Sequence, residues 1–109
     1  MELALNLNKK KVVIKHIEIC KNKAIGLMFS QREKAPRLLF NFKKSVKLSI
    51  HSLFVFYPFV AVWLHRGNII DIKKIKPFKI SIKPDQSFDQ LLEIPINAYN
   101  KKLIEAILK

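Results

Sequence analysis

Two glycines, Gly26 and Gly67, are all that this chain of 109 residues contains. That excludes a glycine-rich phosphate loop, which needs close backbone approach at several positions. A single cysteine, Cys20, excludes an internal disulfide and any zinc site built on paired thiolates, and it suits a reducing compartment. No HExxH occurs and no serine stands in a nucleophile-elbow context, so two further catalytic classes fall away. The longest apolar run, Leu53 to Leu64, is broken by Pro58 and falls short of the roughly 20 residues that a spanning helix needs. Met1–Leu7 lacks a basic start followed by a long apolar core. A secretory leader is therefore not expected, and a cytoplasmic location without a membrane span is.

Carboxylates are also scarce, 8 against 21 Lys and Arg, for a net charge of +13. Such a balance points to an anionic partner, a nucleic acid or a membrane surface. Arginine, however, supplies only Arg32, Arg37 and Arg66 of the 21 cations. Base and phosphate recognition draws on the bidentate guanidinium fork. The accompanying excess of Lys, Ile, Phe and Asn is what AT-rich codons produce, so compositional drift competes with a nucleic-acid role.

What remains is half hydrophobic and organised as alternating apolar runs between polar turns, enough for one domain over residues 1–109. Leu3, Leu5 and Leu7 alternate with polar neighbours, and Val12 to Cys20 follows the Asn8–Lys11 turn, which reads as a hairpin. A helical turn is expected at Ala24–Phe29, a charged loop at Ser30–Pro36, an apolar stretch at Arg37–Phe42 and a turn at Lys43–Ser45. Strands are expected over Val46–Phe56, Phe59–Leu64 (buried on both faces), Ile69–Ile75, Phe78–Lys83 and Phe88–Ile96. His65–Asn68 reads as a hairpin turn. Tyr99, Leu103, Ala106 and Ile107 recur at helical spacing behind a candidate cap at Asn97 or Asn100. The expected fold is mainly β, a small antiparallel sandwich or barrel with a short C-terminal helix.

Few residues offer chemistry. His16, His51 and His65 have no metal-ligand spacing, and no carboxylate pair is spaced for acid–base work, so neither a metal nor a cofactor is expected. Lys21 and Lys23 would favour a Cys20 thiolate, although a small packing residue is the simpler reading. Phe54, Phe56, Tyr57, Phe59 and Trp63 could stack bases. No Lys or Arg interrupts Leu48 to His65, and the aromatics are read as core, with Trp63 buried.

Three blocks in order resemble a known family: Gly26-Leu27-Met28-Phe29, then Ile50-His51-Ser52-Leu53-Phe54-Val55-Phe56-Tyr57-Pro58, then Leu92-Glu93-Ile94-Pro95. Together they are similar to the prokaryotic domain-of-unknown-function family 192 over about residues 10–98. Trp63-Leu64 and the break at Ile75-Lys76-Pro77-Phe78 resemble its archaeal-type branch. The resemblance implies a compact antiparallel β sandwich or barrel, cytosolic or exported depending on the member, and no established reaction. The family usually has Arg after the first block and Asp two residues after the proline, where this chain has Ser30 and Val60. It also continues past the last strand with a glycine-containing turn that is absent here.

Of the matching positions His51 is the polar candidate. The expectation is a small binding module holding a ligand near His51 and the Gly26 bend, and not an enzyme. The alternative is a nucleic-acid-binding face of Lys43, Lys44, Lys47, Lys73, Lys76 and Lys79.

Overall fold

Phe59–His65 is the most continuous apolar strand and occupies the centre of the sheet, where both of its faces are covered. The computed structural model of the chain describes residues 1–21 and 26–108. Its elements, in chain order, are β1 (Leu3–Leu7), β2 (Lys10–Ile14), β3 (Ile17–Ile19), β4 (Arg37–Val46), β5 (Phe59–His65), β6 (Asn68–Ile75), β7 (Phe88–Pro95) and α1 (Lys101–Ile107). The strands make one sheet in the order β2-β1-β6-β5-β7-β4-β3, curled into a half-barrel with the single helix at its C-terminal end. The fold is mainly β.

Two tight turns fix the register. Asn8 and Lys9 both have positive φ, as do Arg66 and Gly67; paired left-handed residues match the twist of a two-residue hairpin. They place Leu5 opposite Val12, and Val60 opposite Lys74. The ladders β5–β6, β5–β7 and β4–β7 are antiparallel. The outer pairs β1–β6 and β3–β4 are parallel, a departure from a purely antiparallel sheet.

Period two divides the core into two layers. Phe59, Ala61 and Trp63 join Phe40, Phe88 and Leu91 on one face. Val60, Val62 and Leu64 join Leu5, Leu39, Leu92, Ile94, Ile104 and Ile107 on the other. Trp63 is completely buried. Two of the three arginines staple the helical end. Arg32 Nε donates to the Ile96 carbonyl at 2.7 Å, and Arg37 Nε donates to Asn100 Oδ1 at 2.7 Å. Asn100 in turn donates to the Pro95 carbonyl at 2.8 Å, so it anchors the start of α1 without a side-chain cap bond into the helix.

Several expected boundaries move. Val12–Cys20 is two strands, split where His16 takes φ +57. Lys43–Ser45 belongs to β4, which carries a register shift between Asn41 and Val46 in place of a turn. Val46 closes β4 opposite Phe88, but the rest of Val46–Phe56 and all of Phe78–Lys83 are not strands; between these two segments one bridge forms, Ile50 to Ile82. Alternation there reflects loops lying over the sheet with one side inward, and Ser52 supplies the hydrogen bonds a ladder would have made. A turn is also expected at Lys21–Lys23; its last two residues and the first residues of the expected helical turn lie outside the described residues. Gly26–Phe29 forms a turn. In α1 the inward stripe is Ile104 and Ile107; Tyr99 and Ala106 are exposed, because the stripe is rotated from the expected spacing.

Candidate functional site

The face of the sheet away from α1 is roofed by the Gly26 turn and by the loop that runs from Lys47 to Pro58. Between roof and sheet lies a cavity of about 260 Å³. Phe59, Phe88 and Leu91 form its buried floor; Leu48, Ser49 and His51, all exposed, stand at its rim. His51 Nδ1 accepts from the Leu53 amide at 3.3 Å, which turns the ring back toward its own loop.

The polar feature of the interior is Glu93. Strand β7 delivers it: Leu91 and Glu93 share one face, and β5 pairs Ala61 opposite Glu93. It is buried, it lines the cavity, and no hydrogen bond or ion pair reaches its carboxylate from the described residues. An isolated carboxylate in apolar surroundings disfavours its own charge. Burial accordingly pushes Glu93 up to about 8. Nearby Tyr57 is raised above its ordinary value chiefly by burial, opposed by a hydrogen bond with Ser30 and reinforced by the Glu93 charge. The Ser30 and Tyr57 hydroxyls are 2.6 Å apart.

Gly26 packs its backbone against the Phe40 ring beside the carboxylate. Its φ is +53, and a methyl built on its Cα would stand 3.3 Å from the Phe40 ring and 3.4 Å from Glu93 Oε1. A side chain at this position would press on the ring and touch the carboxylate.

Among the described residues, no Lys or Arg lines this cavity, although the chain carries 21 of them. Its ionisable groups are Glu93 and His51. The other sequence candidates lie elsewhere. Lys43 and Lys44 are on β4 and Lys73 on β6, with β5 and β7 between those strands. Lys73 already donates to the Lys83 carbonyl at 2.6 Å and faces Asp71 at 3.8 Å. Lys47, Lys76 and Lys79 are exposed on loops. No three His, Cys, Asp or Glu side chains gather as metal ligands among the described residues. Neither Ser30 nor Val60 lines the cavity; Val60 packs in the opposite layer.

Two readings of side chains are corrected. Phe54 and Phe56 are not core but exposed, because the loop turns outward there, whereas Tyr57, Phe59 and Trp63 are buried. Sequence reasoning also passed over Glu93. The available signal was a lone charge inside Leu91-Leu92-Glu93-Ile94-Pro95, a run with apolar residues on both faces.

The profile of domain-of-unknown-function family 192, Uncharacterized ACR, matches residues 4–106. The chain belongs to this family. No curated protein matches it. Two crystal structures share the fold. One, a protein of unknown function from Novosphingobium aromaticivorans, is 13% identical, with a TM-score of 0.69 over 94% of this chain and 76% of that one. The other, from Sinorhizobium meliloti and proposed to be a transcription regulator, is 18% identical, with a TM-score of 0.72 over 94% and 83%. At these identities the likeness concerns the fold alone. Family 192 is uncharacterised, and its members' shared architecture assigns no reaction. No helix of the described residues is long and apolar enough to cross a membrane.

Proposed function

We propose that this member of family 192 is a small binding module whose cavity takes a compact, largely apolar molecule bearing one amine, with the amine against Glu93. The observation that carries the reading is a buried carboxyl, without a partner among the described residues, facing a cavity whose buried floor is apolar. Ligand sites combine an apolar lining with a few convergent polar groups, and a carboxyl strongly perturbed by desolvation inside a cleft marks such a site. An engineered cavity of about 150 Å³ accommodates benzene, so 260 Å³ suits roughly ten non-hydrogen atoms by the same scaling. An ammonium group would return Glu93 to its charged form and relieve the burial penalty. Among the described residues, an anionic molecule would meet the Glu93 carboxyl and no Lys or Arg. His51 at the rim, with Ser49, is the contact for any polar group left at the mouth.

The test uses benzylamine and benzoate, which share a ring and differ in charge, followed by methyl NMR of Val55 and Leu91. Benzylamine is expected to shift both methyl sets saturably and benzoate to leave them unmoved. Glu93→Gln, which keeps the shape and removes the charge, is expected to abolish the preference. Equal response to the two probes, or response to neither, contradicts the reading.

A further inference from the structure

Phe29, Phe54, Phe56, Phe78 and Ile80 are between 49% and 79% exposed, and the four rings meet in two pairs. Phe29 and Phe54 stack with centroids 5.3 Å apart, while Phe56 and Phe78 meet edge to face at 5.6 Å. The three backbone segments that carry them are tied together. The Phe29 amide donates to the Phe54 carbonyl at 2.9 Å, the Phe78 amide to the Ser52 carbonyl at 2.9 Å, and the Ser52 amide to the Lys79 carbonyl at 2.8 Å. Phe29, Phe54 and Phe78 all have φ near +62 or +61, a region that bulky side chains avoid. Strain of this kind persists only where the surroundings enforce it, and it concentrates at functional surfaces. Two exposed ring pairs on backbone segments that are hydrogen-bonded to one another make an apolar surface of a kind that is unusual without a partner.

The charge around the patch narrows the partner. Residues 26–30, 47–58 and 76–83 contain no Asp or Glu; they contain Lys47, Lys76, Lys79 and Lys83, all four exposed. From this combination we infer that the patch docks the chain on an anionic lipid surface, the rings and Ile80 entering the boundary between headgroups and acyl chains while the lysines meet lipid phosphate. A second copy of the chain is the poorer fit, since a two-fold contact would bring the patch's own lysines together. Single-stranded nucleic acid is also poorer. The Phe29 and Phe54 faces already stack on each other, and the most exposed member of the patch, Ile80, cannot stack a base. The inference does not depend on the ligand of the Glu93 cavity.

Vesicle co-sedimentation tests it. The intact chain is expected to pellet with phosphatidylcholine vesicles that contain phosphatidylglycerol and to stay in solution with phosphatidylcholine alone. Phe56→Ser with Ile80→Ser should weaken binding at least about tenfold. Lys76→Gln with Lys79→Gln should weaken it by roughly fivefold for each lysine. All four side chains are exposed, and an unchanged melting temperature checks that each variant is folded. The proposal is overturned by an absence of binding to the anionic vesicles, or by binding that the Phe56/Ile80 variant leaves intact, which would be adsorption by charge alone. Retention of single-stranded RNA that is lost in the Phe56/Ile80 variant, or sedimentation of the free chain as a dimer that the same variant dissociates, also overturns it.

Discussion

The missing side chain of Gly26 faces the carboxylate of Glu93: a Cβ there would lie 3.4 Å from Oε1 and 3.3 Å from the Phe40 ring. A left-handed turn and a buried acid, far apart in sequence, thus share one small volume. Gly26→Ala meets both obstacles at once, a φ of +53 that costs an L-residue about 1–2 kcal/mol and a methyl pressed on an aromatic edge. We expect a stability loss of that order, read as a lower urea midpoint with an unchanged slope. A wild-type midpoint would mean that the turn shifts freely.

Ser52 holds the loop roof. Its hydroxyl donates to the Lys76 carbonyl and accepts from the Lys79 amide, both at 2.7 Å, from a fully buried position. Ser52→Ala leaves both backbone groups without these partners, at a cost of about 1–3 kcal/mol. Amide exchange over residues 76–80 should accelerate selectively, detaching Phe78 from its neighbours. Unchanged exchange there would show that the backbone bonds of Ser52 to Phe78 and Lys79, with the Ile50–Ile82 bridge, secure the segment without the hydroxyl.

Trp63 fills the centre of one core layer and is completely buried. Trp63→Ala should cost about 3–5 kcal/mol, comparable with the whole stability of a small domain. A variant that melts near wild type would contradict the packing described for β5.

Periodicity made the sheet legible where strands are long and bounded by turns. Phe59–Leu64, Ile69–Ile75 and Phe88–Ile96 match β5, β6 and β7 to within a residue or two, because a run buried on both faces, or alternating beside a hairpin turn, has few alternatives. The segments expected as strands at Val46–Phe56 and Phe78–Lys83 alternate just as cleanly and, beyond Val46, are loops. Alternation reports which side chains face inward, and a loop lying over a sheet satisfies it without a ladder. The outward turn at Phe54 depends on a positive φ that no composition rule assigns to phenylalanine. The vicinity of the cavity was readable from His51 and Gly26, since both stand in the blocks that resemble family 192. Glu93 stood in such a block too, but its burial without a partner among the described residues is a property of packing.

The burial of Glu93 ties stability to pH. Its folded value of about 8 exceeds the ordinary 4.5, so the folded state holds the proton more tightly than the unfolded state does. Stability from this group is complete below about pH 4.5 and is lost as pH rises toward 8, by an amount on the order of 4 kcal/mol. Glu93→Gln removes the titration. Relative to wild type, the variant should gain stability steadily between pH 5 and pH 8, measured by chemical denaturation at each pH. A constant difference across that window would indicate a solvated carboxylate.

The most direct measurement is a carbon-13 NMR titration of the Glu93 carboxyl, in the free protein and with benzylamine. We expect a midpoint near 8 in the free protein, moved down by benzylamine and left in place by benzoate. A free-protein midpoint in the ordinary carboxylate range near 4.3 would mean that the cavity is wet and the carboxyl unperturbed, and would contradict a binding site built around Glu93.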